Sequence, residues 1–241
     1  MKKLLLATVL GAVSMTAMAD DFEDSYNLVG LSYDNTTIMF SEDLYILDEA
    51  SSTLGLNGFG LEYTHGFGIT DHPMFIEVGG KFSFLFNNRK EDYRDAEEKM
   101  ATKLIRLNIP VSYAYRFTFK DKFSLTPYAG FDFRFNLVGT SKFTYKDKYE
   151  HYTEKETLNW FNKTDVSDMV DDYGPTWSRF QFGWHIGVRF QYERYYAGLN
   201  YGTDFNPLFS YKEWYEGYYN DFYQKINWHT GNFALTLGYC F

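Results

Sequence analysis

Cysteine is almost missing from this chain. Its 241 residues include one, Cys240, so neither an intramolecular disulfide nor a cysteine cage for a metal can form. After the first twenty residues no apolar run approaches the roughly 18 needed for a membrane-spanning helix. A basic excess is missing too. The formal charge is −9 and no lysine or arginine stripe stands out, which argues against a nucleic-acid partner. No H-E-x-x-H, G-x-S-x-G, C-x-x-C or Walker-type run occurs, so no hydrolase, redox, metal or nucleotide signature is available. The expectation is a protein without cofactor or metal, and not an enzyme.

What is abundant is aromatic. Phe, Trp and Tyr make up 21 % of the chain, more than a soluble core of this size needs. Residues 1–19 differ from the rest: Met1-Lys2-Lys3, an apolar run from Leu4 to Val13, then Ala17-Met18-Ala19. A basic start, a short apolar centre and a small-x-small site predict a cleaved export signal. The mature domain would then span 20–241. Losing Lys2 and Lys3 with the leader takes its formal charge from −9 to −11.

Most of the remainder alternates with period two, the strand pattern, since successive side chains point to opposite faces. In the last fifteen residues His229, Gly231, Phe233, Leu235, Leu237, Tyr239 and Phe241 form one set. Trp228, Thr230, Asn232, Ala234, Thr236, Gly238 and Cys240 form the other. Bulky apolar residues on one face, with small and polar ones on the other, are expected where the surrounding solvent is lipid and the interior is cramped. Lipid offers no partner to backbone N–H and C=O, so such a sheet must close on itself.

Seven further segments read the same way: 26–40, 57–69, 74–86, 103–117, 123–137, 179–192 and 195–205. Pro110 is awkward in the middle of the fourth, because it cannot donate to a ladder. The connections alternate long, short, long, short, long, short, long. Long extracellular loops and short periplasmic turns produce that asymmetry. The predicted fold is all-β: a transmembrane antiparallel up-and-down β-barrel of eight strands in the bacterial outer membrane. Ten strands follow only if 139–177 hides another membrane hairpin, and its charge predicts that any strands there project into water. Eight strands leave an interior just wide enough to be filled by side chains.

Four stretches carry a family resemblance: Leu107–Phe117 (LNIPVSYAYRF), Pro127–Phe135 (PYAGFDFRF), Tyr195–Gly202 (YYAGLNYG) and Leu235–Phe241 (LTLGYCF). The chain resembles the outer membrane protein beta-barrel domain family, in particular its PorT-like small barrels. The resemblance implies architecture and location, not an activity. Tyr239 and Phe241 also resemble the C-terminal signal read by the barrel assembly machinery, which would be a transient partner.

The polar sets predict an interior charge network of Glu62, Glu77, Lys81, Arg106, Arg116, Asp132, Arg134 and Arg189. Five cations against three acids is near balance, as burial requires of charges. A selectivity filter in a narrow or gated channel is the alternative. In the expected extracellular loops, Trp160, Trp214, Tyr215, Tyr218 and Tyr219 offer stacking faces for an extracellular protein or glycan. Outer-membrane lipid and lipopolysaccharide are the expected surroundings of a monomer. A lipid-modifying enzyme is the competing function. Lipid A deacylases pair His and Ser two residues apart on the lipid face, but His229 is followed by Gly231 there, with Thr230 facing inward. Asp71-His72 lies on a turn predicted to be periplasmic, the wrong side for a surface protease. Asp165, Asp168, Asp171 and Asp172 fit no EF-hand spacing.

Overall fold

The computed structural model describes residues 25–39, 53–69, 73–119, 122–149, 151–162, 176–215 and 222–241. The stretch expected to be an export signal, residues 1–19, and Asp71-His72 lie outside these residues, as do Asp165, Asp168, Asp171, Asp172, Tyr218 and Tyr219.

The described residues form twelve strands: β1 (Tyr26–Met39), β2 (Thr53–Gly68), β3 (Met74–Asp92), β4 (Ala96–Tyr115), β5 (Phe117–Phe119), β6 (Phe123–Asp147), β7 (Thr153–Asn159), β8 (Thr176–Trp177), β9 (Phe180–Tyr192), β10 (Tyr195–Asp204), β11 (Phe209–Tyr215) and β12 (Phe222–Cys240). Eight of them close a ring. The order β1-β2-β3-β4-β6-β9-β10-β12 returns to β1 through a twelve-residue ladder from Leu28↔Cys240 to Met39↔His229. Every pairing is antiparallel, and because the ring closes, no strand edge is left at membrane depth among the described residues. The other four strands extend the ring at its ends. β5 continues β4 into the turn before β6, while β7 pairs with the upper part of β6. β11 and β8 add to the upper part of β12.

The inside-out pattern holds through the band. Leu31, Phe59, Leu61, Ile76, Phe131, Ile186, Phe190, Leu235 and Leu237 are exposed on the outer wall. Ser32, Asp34, Glu77, Ser112, Asp132, His185, Arg189 and Thr236 are buried inside. On β4 the outward set runs from Tyr115 up to Ile105. Ten residues at about 3.3 Å each, tilted by about 40°, span about 25 Å, the height of an outer-membrane apolar band.

The strands outrun the segments read from sequence. β3 and β4 continue to Asp92 and Ala96, and β6 runs to Asp147. Most of 87–102 is therefore a hairpin above the membrane rather than a loop. The stretch 139–177 contributes the upper β6–β7 hairpin and no further membrane crossing among its described residues. Pro110 is accommodated where the β3–β4 ladder lapses between Val78↔Val111 and Lys81↔Asn108, beside Gly79 and Gly80. Its missing N–H is not called upon there. A bulge on β6 pairs Ile105 with Val138 but Arg106 with Asn136, leaving Leu137 over. That extra residue switches the inward set from Asn136 to Gly139 and Ser141.

Candidate functional site

The lumen is built in three levels. Lowest is a guanidinium–carboxylate pair: Arg189 (β9) donates to both oxygens of Glu77 (β3), at 2.8 and 3.0 Å. Tyr26 (β1) donates its hydroxyl to the same carboxylate. Arg116 stacks over the rings of Tyr26 and Phe75, 4.0 and 4.9 Å from their centroids, at the periplasmic mouth. Arg189 in turn lies against Tyr128 and Tyr196. This level stoppers the lower end with aromatics and a paired charge.

At mid-height Lys81 Nζ sits 2.5 Å from Asp34 and 3.9 Å from Glu62. Ser83 also donates to Asp34, at 2.6 Å. Beside them Ser112 Oγ lies 2.7 Å from His185 Nε2. Nδ1 of that ring is 3.1 Å from Asp132 Oδ1. The order Ser–His–Asp is that of a nucleophile, its base and the carboxylate that orients the base. Ser112 and His185 flank Gly130 in adjacent ladders, Ser112↔Gly130 and Gly130↔His185. A Cβ at Gly130 would strike the β4 backbone at Val111 and Ser112. The space beside the three residues is about 70 Å³. That admits a few waters, at about 30 Å³ each in the liquid, and no acyl substrate.

Above this, Arg134 bridges Asp132 and Asp204. Gln181 donates to Asp204 at 2.8 Å. Arg106 is shared among neutral acceptors, Asn136 at 3.0 Å and Asn232 at 2.7 Å. The eight network residues expected from the sequence all line this interior. Asp34 and Asp204 complete it, making five cations face five acids: Lys81, Arg106, Arg116, Arg134 and Arg189 against Asp34, Glu62, Glu77, Asp132 and Asp204. Asp34 alternates with the outward Tyr33 on β1, and Asp204 is the last residue of β10; both are buried in the lumen. Also missed were the inward tyrosines 26, 128 and 196 and the Ser112–His185–Asp132 cluster.

The upper mouth is closed by an apolar cap. Ile38, Leu56, Leu85 and Leu104 point inward from β1 to β4 just above the polar network, and Leu208 and Trp160 cover them. Trp160 stacks on Trp177 with ring centroids 4.1 Å apart, and Phe209 packs on Trp228 at 4.2 Å. The Trp160 indole lies flat on Gly139, where any Cβ would collide with it. Its Nε1 donates to Ser141 Oγ at 3.0 Å. Trp160 was expected on a recognition surface. At 2 % exposure it is instead the lid of the lumen, because the bulge at Leu137 turns Gly139 and Ser141 inward beneath it. Trp214 and Tyr215 lie on β11, whose backbone pairs with β12.

The remaining candidates sit at the walls. His229 Nδ1 lies 3.4 Å from the carbonyl of Asp204, with no serine or threonine two residues away on its face. Tyr239 packs edge-on against Tyr195 and accepts from Arg194 at 2.9 Å, at the periplasmic rim beside Phe241. Among the described residues no group of three or more His, Cys, Asp or Glu is arranged to hold a metal ion.

A closed ring, an apolar outer wall and a neutralised, stoppered lumen define a transmembrane β-barrel. The chain belongs to the outer membrane protein beta-barrel domain family, whose model matches residues 5–241; this places it in the bacterial outer membrane. No curated protein matches it. Among solved structures it is similar to Ail, the attachment invasion locus protein of Yersinia pestis, in complex with the heparin analogue sucrose octasulfate. Identity is 14 %, covering 90 % of this chain and 99 % of that one, with a TM-score of 0.43. It is also similar to the outer membrane protease OmpT of Escherichia coli (11 % identity, 92 % and 98 % covered, TM-score 0.41). Neisserial surface protein A follows (10 %, 89 % and 96 %, 0.36).

Proposed function

We propose that this protein is a non-enzymatic, non-conducting, monomeric barrel whose extracellular strand extensions are its working surface, used for recognition at the cell envelope. The observation that carries this reading is the sealed lumen: a stopper at Tyr26, Phe75 and Arg116, charge pairs along its length, and the cap under Trp160. Export through a cleaved leader, assembly through the Tyr239–Phe241 signal and kinship with PorT-like barrels belong to the same reading. Planar-bilayer recording tests it. The purified barrel gives no unitary conductance in molar salt, and steady single-channel steps would refute it. Mass spectrometry of the mature chain should find Asp20 at its N-terminus.

The Ser112–His185–Asp132 geometry favours a second reading, an acyl-transfer enzyme opened by removal of the cap. Covalent labelling of Ser112 by a fluorophosphonate, abolished in Ser112→Ala, would establish it. An unlabelled folded barrel leaves the cluster as part of the interior hydrogen-bond network.

A further inference from the structure

Among the described residues the sheet β3-β4-β6-β7 continues above the end of the β2–β3 ladder, and its two faces carry opposite charge. The ladder registers assign each side chain to a face. On the face continuous with the lipid-facing wall stand Lys90 and Asp92 of β3, with Lys103, Lys99 and Glu97 of β4. Lys142 and Lys146 of β6 and Lys155 of β7 join them there. That is six lysines against two acids. On the face turned toward the barrel axis stand Arg89, Glu91, Glu98, Asp147, Glu154 and Glu156, one cation against five acids. A solvated hairpin with no partner has no reason to sort its charges this way, since intermixed signs on each face would pair across strands and cost less.

The basic face has spare charge. Glu97 is shared between Lys99 at 2.7 Å and Lys90 at 3.0 Å, and Asp92 is taken by Lys90 at 2.8 Å. Among the described residues Lys103, Lys142, Lys146 and Lys155 meet no carboxylate, and all four are exposed. Lys142 pairs with Ala101, so it projects between Lys99 and Lys103 on the neighbouring strand. Height fixes what the face meets. Ile105 tops the apolar band on β4, and Lys103 is the next outward residue, about 5 Å higher at the tilt used above. Lys99 stands about 15 Å above the band by the same measure. The face therefore does not look into bulk water. It looks sideways into the headgroup layer of the outer leaflet.

We propose that Lys103, Lys142, Lys99, Lys146 and Lys155 form a docking face for the phosphorylated headgroup of outer-leaflet lipopolysaccharide, with Lys103 and Lys142 at the level of its lipid-proximal phosphates. The occupant follows from charge complementarity and from continuity with the lipid-contacting wall. Ammonium groups bind phosphate as point charges without demanding one geometry, which suits a ligand laid along a sheet. The inference deepens the recognition reading and rests on it.

The test uses the full mature chain, refolded in detergent. Lipopolysaccharide and the same lipopolysaccharide stripped of phosphate by phosphatase treatment are titrated against it at low and moderate salt. Wild type should prefer the phosphorylated form by at least roughly tenfold, a preference that shrinks with salt. Lys103→Gln/Lys142→Gln/Lys146→Gln/Lys155→Gln should lose it, while Glu98→Gln/Glu154→Gln/Glu156→Gln on the opposite face should keep it. Heat-dependent gel mobility confirms that each variant is folded. The wild-type comparison alone decides the matter if the quadruple variant misfolds. Equal binding of the two lipopolysaccharides overturns the proposal. So does equal binding of phosphatidylglycerol vesicles, or of a soluble sulfated glycan. A conducting barrel would refute the recognition reading without altering these titrations, so the two failures are separable.

Discussion

At Glu77 the energetics of the lumen concentrate on one carboxylate, 2 % exposed and held by Arg189 and Tyr26. Burying this pair gains little over a well-packed apolar pair, but breaking it strands a charge in low dielectric. Glu77→Ala should cost about 3–5 kcal/mol, read as a lower urea midpoint for refolding into lipid. Glu77→Gln with Arg189→Met removes both charges and should recover much of that loss. If the double variant is no more stable than the single one, the pair does not act as described. Gly139 poses the same question in steric form. Gly139→Leu must expel Trp160 from the cap, so indole emission should shift to the red and quench with iodide. An unchanged spectrum would place the indole elsewhere.

Among the elements, β9 (Phe180–Tyr192) falls one residue short of the 179–192 that alternation assigns to it, whereas β3, β4 and β6 run well past theirs. The reason is physical. The lipid template of apolar-out and polar-in ends where lipid ends. Above Ile105 the pattern inverts: Leu104 faces in and Lys103 faces out, as where a barrel's surroundings are polar. A scan for the first template reads the second as loop. The bulge at Leu137 was illegible for a related reason, since one extra residue leaves the composition unchanged while reversing the faces beyond it. Which residues would face inward was largely legible through the band; which of them would touch was not. Ser112, Asp132 and His185 come from three strands, and ladder register brings them together. The inward tyrosines were hidden because an aromatic in such a chain reads as lipid-facing unless its neighbouring strand offers a glycine, as Gly187 does for Tyr128.

Two tests belong to this scale. Leu237→Arg puts a charge on the lipid face of β12 and should cost up to about 4 kcal/mol toward the midplane, less near an interface. Wild-type stability in that variant would contradict the assignment of faces. In the β3–β4 hairpin, hydrogen bonds from Lys99 and then Lys90 hold the Glu97 carboxyl down at about 2, against an ordinary 4.5. A carboxylate depressed in the folded state stabilises it fully above the ordinary value. That contribution is lost as pH falls through about 2. Carbon-13 titration of Glu97 should show the low midpoint, and Lys99→Met should raise it. A midpoint near 4.5 in wild type would mean the hairpin is not ordered as described.

For the whole molecule, a closed ring predicts all-or-none behaviour. The folded barrel should resist detergent until heated and then lose its compact gel mobility in one step, with tryptophan emission and far-UV dichroism changing together. Separate transitions would mean that the extracellular extension melts independently of the ring. The seam between β1 and β12 explains why no stable half-barrel is expected. It joins Leu28 to Cys240, residues more than two hundred positions apart in the chain. Loop closure over such a separation is among the slowest steps a sheet can face. Until it happens every intermediate carries two bare edges, each a template for aggregation. The pairing of β12 is thus what satisfies β1, and both edges stay open to unwanted partners for as long as that pairing waits.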